Sequence, residues 1–162
     1  MMGSRFWQGI TLQMVVISIF AMVLNVDLSR VGLSDSSMWA SRLVFHFFHG
    51  NVLHLMLNAV ALLTLSFKCE PKGSEWIASF IIASLYPLPG SSPVVGFSAI
   101  VYAMLGIRTL YAVNKRQILL INLSAIGFGL LLPTIAVGIH LWSYAIGLVY
   151  GLLTVPISKI RR

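Results

Sequence analysis

The stretch ILLINLSAIGFGLLLPTIAVGIHLWSYAIGLVYGLLTVPI, residues 118–157, decides the fold because it contains no Asp, Glu, Lys or Arg. A helix that crosses a bilayer needs about 20 predominantly apolar residues. The run is long enough for two such helices, and residues 133–139, which begin with a proline, are the predicted break between them. The stretch therefore predicts two adjacent membrane spans.

The composition of the whole chain agrees with a membrane location. Of its 162 residues, 58% are hydrophobic and 9% are charged, whereas a soluble globular domain carries about 25% charged residues. This balance excludes a cytosolic enzyme and a disordered tail. The single cysteine, Cys69, excludes a disulfide within the chain and a multi-cysteine metal or iron–sulfur site.

Polar segments divide the rest of the chain into four further apolar runs. Residues 27–41 are rich in serine, KCEPKGSE at 68–75 predicts a turn, and prolines and glycines interrupt residues 87–93. The first run lacks a small-x-small cleavage signature, so we expect a retained span rather than a signal peptide. We predict an all-α membrane protein, a six-transmembrane-helix bundle in one domain, 1–162, with spans near 6–26, 51–67, 76–88, 98–113, 118–138 and 140–157.

The basic residues predict the orientation of the bundle. Six spans place nine of the eleven Lys and Arg residues on the side of the two termini and leave Arg30 and Arg42 on the other side. Cytoplasmic loops carry an excess of Lys and Arg, so both termini should be cytoplasmic, and the net charge of +7 reflects topology rather than a nucleic-acid partner. We expect a plasma membrane, the inner membrane of a bacterium, because the sequence has no transit peptide and no appended domain.

Polar residues open three of the predicted spans at the same depth. His54 and Asn58 lie in the first two turns of span two, Ser98 opens span four, and His140 opens span six. All three spans run inward from the outer face, and each residue adds about 1.5 Å along a helix. Ionisable groups inside a membrane usually face the bundle interior. The pattern therefore predicts one convergent site near the outer face.

Stripes of small residues favour close packing of spans four and six. They consist of Ala99, Ala103 and Gly106 on span four, and of Ser143, Gly147 and Gly151 on span six. Small residues let helix backbones approach closely in lipid, which would bring Ser98 towards His140. A histidine about 3 Å from a serine hydroxyl can activate it as a nucleophile. All four acidic residues are predicted in loops, so the site would be a Ser–His dyad without a carboxylate.

Simpler interpretations remain open for each residue taken alone. Ser98 could be an ordinary N-cap, His54 and Asn58 a hydrogen-bonded pair between helices, His140 an interfacial histidine, and Tyr102 a core aromatic residue. The spacing of His46, His49 and His54 lacks the HExxH pattern, so no zinc site is predicted. A haem held by His54 and His140 remains an alternative, although it would leave Ser98 and Asn58 unexplained.

Three motifs resemble those of the rhomboid family of intramembrane serine proteases. Residues 49–58, HGNVLHLMLN, are similar to the family's H-x4-H-x3-N, and residues 96–106, GFSAIVYAMLG, to its G-x-S-G-x2-Y-x3-G. His140-x-x-Ser143-x3-Gly147 is similar to H-x-x-G-x3-G, and Trp39 with Arg42 resembles the Trp-Arg element before span two. Ala99 and Ser143 stand where the family usually has glycine. Order, spacing and span count cover nearly the whole chain.

The resemblance implies a serine endopeptidase that cleaves single-span membrane proteins near the outer face. Ser98 would attack the peptide bond, His140 would act as its base, and Tyr102 would pack under the His140 ring. His54, Asn58 and the Ser98 N–H would stabilise the oxyanion. Span five and residues 133–139 would form a lateral gate. No metal, organic cofactor or nucleic acid is implied, and Gly96, Ala99, Gly106, Ser143 and Gly147 would serve packing.

Two other classes of function remain as alternatives. The first is a non-catalytic rhomboid-like protein that binds transmembrane clients; inactive relatives usually lack the serine or the histidine, and this chain has both Ser98 and His140. The second, more remote, is a small haem-binding or transport protein.

A topology reporter tests the predicted orientation directly. Fused after Arg162, it should report the cytoplasm, and inserted beside Asp35 it should report the outside, because basic residues favour the cytoplasmic side. Two reporters, one active only inside and one only outside the cytoplasm, measure each position. A cytoplasmic Asp35 would contradict the orientation, since spans two, four and six would then begin at the inner face.

Overall fold

The computed structural model describes residues 4–87, 90–109 and 136–154, together with Arg116 and Leu120. Within these residues every regular element is helical and no strand occurs, so the predicted all-α class is confirmed for this part of the chain. The helices are α1 (Ser4–Val23), α2 (Leu28–Val31), α3 (Ser41–Val44), α4 (Val52–Thr64), α5 (Gly73–Ser84), α6 (Ser98–Thr109) and α7 (Val137–Thr154). A 3-10 turn, Phe45–Phe47, follows α3, and a π turn, Leu65–Cys69, extends α4.

The turn predicted at residues 68–75 is wrong at both ends. The π turn carries helical structure to residue 69, and α5 begins at Gly73. Glu75 causes the early start, because its carboxylate accepts a hydrogen bond of 2.9 Å from the Lys72 N–H group, while the Glu75 N–H donates to the Lys72 carbonyl. Glu75 therefore lies in a helix, and the prediction that all acidic residues lie in loops is also wrong.

Other predicted boundaries shift by a few residues. The third run ends at Ser84 rather than near residue 88, because Pro87 disfavours the helical conformation in the residue before it. The last helix begins at Val137, three residues before the predicted start, and the predicted loop 27–41 contains the short helix α2, which Asp27 caps. The predicted span 118–138 lies almost entirely outside the described residues, as do residues 110–113 and 155–157.

Helices α4, α6 and α7 run in one direction, and α1 and α5 run against them. Gly147 and Gly151 of α7 lie against Ala103 and Ile107 of α6, in the same order along both helices. The first turns of α4 reach the same end, where they contact Gly96 just before α6. The first turn of α5 is ion-paired with the last turn of α6, and the first half of α1 is hydrogen-bonded to the end of α4. Three helices therefore begin at one end of the bundle.

Two helices are long and apolar enough to cross a bilayer, namely Arg5–Val23 and Val137–Thr154. The pair Ser41–Phe47 and Val52–Phe67, which meet at a bend of 93°, would make a third if it forms one span. Helices α5 and α6 have 12 residues each, about 18 Å of length, against a hydrocarbon core of about 30 Å. The described residues thus provide two or three candidate spans.

Several hydroxyl groups are buried between the helices, and many large apolar side chains outside the core are exposed. Hydroxyl groups with at most 1% exposure lie between helices on Thr11, Ser18, Ser66, Ser79 and Ser143. More than half of the surface is exposed on large apolar residues of α1 and α4, which include Phe20, Val23, Leu53, Leu57 and Val60. Such exposed large apolar side chains, beside an apolar core, are typical of a surface that does not face water.

Helices α6 and α7 form the most extensive contact between any two described helices. A Cβ atom on Gly147 would collide with the carbonyl oxygen of Ala103, and one on Gly106 with that of Tyr144. The two backbones therefore touch directly, without side chains between them. The small residues at these positions set the distance between the helices.

Gly147→Ala should destabilise the fold by about 1–3 kcal/mol, the usual cost of overpacking, because the new methyl group meets a backbone carbonyl that cannot rotate away. Gly9→Ala is the matched control, since no atom lies within 4 Å of its new Cβ and alanine favours a helix by up to about 1 kcal/mol. Thermal unfolding in detergent, followed by circular dichroism, measures both. Equal midpoints for the two variants would contradict the close contact.

Candidate active site

Ser98 and His140 form a buried hydrogen-bonded pair at the end of the bundle where α6 and α7 begin. The Ser98 Oγ lies 2.8 Å from the His140 Nε2, and both residues are less than 10% exposed. The parallel packing of α6 and α7 places their first turns side by side, which brings together two residues 42 positions apart. The distance fits direct proton transfer from a serine hydroxyl to an imidazole.

The Tyr102 ring packs against the face of the His140 ring. The two rings stack with their centroids 4.4 Å apart and their planes inclined by 18°. Tyr102 lies one turn after Ser98 on α6, so the same helix supplies both the hydroxyl and the surface on which the imidazole rests. In the described part of the chain no carboxylate hydrogen-bonds to His140, and the described contacts of its ring are the Ser98 hydrogen bond and the Tyr102 stack.

His54 and Asn58 converge on the backbone just before Ser98. A Cβ atom on Gly96 would lie 3.0 Å from the Asn58 Nδ2 and 3.1 Å from the His54 Nε2, so both side chains rest on this glycine. Gly96 has φ +112°, which other residues rarely adopt, and it leaves the space that these side chains occupy. The glycine therefore allows two polar side chains to approach the segment that precedes Ser98.

The side-chain amide of Asn58 carries a hydrogen-bond donor that is unpaired in the described structure. Its Nδ2 is buried and has no hydrogen-bond partner among the described residues. An unpaired buried amide costs about 1–3 kcal/mol, so its position beside Gly96 is expensive without a role. An N–H group held near a serine nucleophile is the type of donor that stabilises a developing oxyanion.

The start of α4 fixes where His54 lies. Asn51 has an extended backbone, and its side-chain oxygen accepts a 2.8 Å hydrogen bond from the His54 N–H group. This cap begins the helix at Val52 and places His54 in its first turn, one turn before Asn58. Both side chains consequently face the same neighbour.

Two substitutions relative to the rhomboid pattern are accommodated in the contact between α6 and α7. Ala99 and Ser143 are at most 1% exposed, and the Ser143 hydroxyl has no hydrogen-bond partner in the described structure. The Ser98–His140 distance is nonetheless 2.8 Å. The extra methyl and hydroxymethyl groups therefore do not separate the dyad.

The segment before α4 docks onto the end of α5 through contacts that sequence reasoning missed. The Arg42 Nη1 donates to the carbonyl oxygens of Ser84, at 3.2 Å, and Tyr86, at 2.8 Å. The His46 Nε2 lies 3.1 Å from the Ser84 Oγ. A guanidinium at a helix C-terminus satisfies carbonyls that lack helical partners. Trp39 stays exposed, with its ring 5.8 Å from the Arg42 guanidinium.

An ion pair at the opposite end of the bundle was also missed. The Arg108 Nη2 lies 2.7 Å from the Glu75 Oε2, and both side chains are largely buried. The sequence could have indicated this pair, because Glu75 and Arg108 are opposite charges at neighbouring ends of two antiparallel helices. The pair joins the start of α5 to the end of α6.

The histidines do not assemble a metal site in the part of the chain that the structure describes, where no group of three or more potential ligands converges. His46 is engaged with Ser84, and His49 packs against His54. The His140 Nε2 is hydrogen-bonded to Ser98. Residues 133–135 of the predicted gate lie outside the described residues, whereas Ile139 is fully buried.

No protein-family model matches this chain, and no curated protein matches it.

A fluorophosphonate probe should label Ser98, because the His140 imidazole lies within hydrogen-bond distance of its hydroxyl. Labelling in native membranes should disappear in Ser98→Ala and in His140→Ala. Ser84→Ala is the matched control, since Ser84 also contacts a histidine, His46, but does not belong to the Ser98–His140 pair. Loss of labelling in Ser84→Ala, together with normal labelling of Ser98→Ala, would identify Ser84 as the reactive serine and contradict the prediction.

Proposed function

We propose that this chain is a six-span, rhomboid-like membrane protein that acts as an intramembrane serine endopeptidase. The observation that carries the proposal is the buried 2.8 Å contact between the Ser98 Oγ and the His140 Nε2. It joins a nucleophile and a base at the ends of two parallel helices whose backbones touch. A buried serine–histidine contact beside an unpaired amide donor is costly for a purely structural purpose.

The membrane part of the proposal is supported by where polar and apolar groups lie. Helices α1 and α4 present large apolar side chains outward, while hydroxyl groups are buried between helices. In hydrocarbon, helix association relies on close packing and on interhelical hydrogen bonds, and exposed apolar side chains cost nothing. The α6–α7 contact and the Thr11–Ser66 hydrogen bond, 3.1 Å long, both fit that solvent.

In the proposed reaction the Ser98 Oγ attacks the carbonyl carbon of the scissile peptide bond. His140 Nε2 accepts the hydroxyl proton as the new C–O bond forms, and the carbonyl oxygen becomes an oxyanion. His140 then gives the proton to the leaving amine as the C–N bond breaks, which leaves an acyl-enzyme on Ser98. A water molecule, deprotonated by His140, hydrolyses the acyl-enzyme and restores the hydroxyl.

The side chains beside Gly96 would stabilise the oxyanion. The Asn58 Nδ2 and the His54 Nε2 both lie close to this glycine, two residues before the nucleophile. Backbone N–H groups at the start of α6 add to them, because the first turn of a helix has no internal partners for its donors. Donors fixed in advance in a water-poor site stabilise developing charge more than they would in water.

The position of the dyad suggests the substrate. Ser98 and His140 lie at the ends of α6 and α7 rather than at their middles. A peptide bond can reach this level only if the substrate's own helix is unwound there, since a helical backbone has its carbonyls hydrogen-bonded. We propose single-span membrane proteins whose outer end unwinds readily, cut near the outer face of the membrane.

Cleavage of a single-span reporter protein in liposomes tests the proposal. Ser98→Ala and His140→Ala should each lower kcat by at least about 1,000-fold, and the double variant should be no slower than either single one, because members of one catalytic unit are not additive. Ser84→Ala should retain full activity. Cleavage by Ser98→Ala at the normal rate would contradict the serine-protease proposal. A folded wild-type protein that binds the transmembrane segments of other proteins but does not cleave them would favour the client-binding alternative.

A further inference from the structure

His49 is a buried histidine whose ring is not used in the reaction proposed above. It lies before α4, it is 5% exposed, and neither of its ring nitrogens has a hydrogen-bond partner among the described residues. Burying two unpaired polar atoms is unfavourable compared with burying an apolar ring. Since the nitrogens have no described partner, the contacts that the structure shows for this side chain are those of its ring.

The His49 ring contacts two aromatic rings from different parts of the site. It packs edge-to-face on His54, with centroids 5.1 Å apart and planes at 65°, and on Phe97, with centroids 4.5 Å apart and planes at 69°. His54 belongs to the first turn of α4, and Phe97 directly precedes the nucleophile Ser98. Edge-to-face geometry is directional, so these contacts restrain the orientation of both neighbouring rings.

The His54 ring has two described neighbours. It meets His49 edge-to-face, and its Cε1 and Nε2 lie 3.0 and 3.1 Å from the position of a Cβ atom on Gly96. The described structure contains no hydrogen bond from the His54 side chain. The backbone N–H of His54 donates to the Asn51 side chain. In the described structure, the orientation of the His54 ring is therefore restrained by packing and not by a hydrogen bond.

We propose that His49 is a positioning residue, which fixes the His54 imidazole beside Gly96 so that His54 can donate to the oxyanion. The inference rests on the proposed protease function, because it assigns His49 a purpose only through His54. The ring shape of His49 performs this role, and its nitrogens do not. The effect appears in the transition state, since the oxyanion forms only there.

Three variants separate the ring from its nitrogens. His49→Phe keeps an aromatic edge against His54 and Phe97 and should retain kcat within about threefold. His49→Leu and His49→Met remove the ring but keep an apolar side chain suited to a buried site, and they should lower kcat about 10-fold or more with KM unchanged. Thermal unfolding of both ring-free variants shows which of them is folded, and kcat is compared for the folded one. Equal loss of kcat in His49→Phe and His49→Leu would overturn the inference.

A double-mutant cycle then tests whether His49 acts through His54. In a His54→Ala background, His49→Leu should have little further effect on kcat, because the group that it positions is gone. The same fold-loss in both backgrounds would overturn the inference while leaving the protease proposal intact. Ser98→Ala is measured alongside, and normal cleavage by that variant would remove the protease proposal and this inference with it.

Discussion

The direct contact between the backbones of α6 and α7 sets the relative position of Ser98, Tyr102 and His140. Gly147 and Gly106 bring each helix against a carbonyl of the other, so side-chain rearrangement cannot adjust the separation. With the helices parallel and this close, Ser98 and His140 meet at 2.8 Å, and Tyr102 reaches under the imidazole. A shift of about 1 Å, the size of a small packing change, is enough to lose such geometry.

The other helices determine what surrounds the dyad. The α4 helix brings its polar first turns to Gly96, and α5 is fixed at both ends by charged groups. Arg42 binds the carbonyls at the end of α5, while Glu75 at its start is paired with Arg108. Polar contacts thus join elements that are distant in sequence.

The sequence predicted the helical class and the residues that meet at the site, because both depend on periodic patterns. Charge-free runs indicated helices, and shared depth placed Ser98, His140, His54 and Asn58 at one level. Boundaries were less predictable, since they depend on local hydrogen bonds such as the Glu75 carboxylate on the Lys72 N–H group. The contacts of Arg42 and His49 were not predictable, because no spacing rule joins a loop to a helix end or one buried ring to another.

The chain order of α6 and α7 has a consequence for biosynthesis. Ser98 is translated 42 residues before His140, and the residues between them separate two helices that must end up side by side. A nascent chain that has completed α6 carries the serine without its histidine neighbour. The dyad therefore comes into existence only when α7, near the end of the described chain, has entered the bundle. A truncated product that ends before α7 therefore lacks the Ser98–His140 contact altogether.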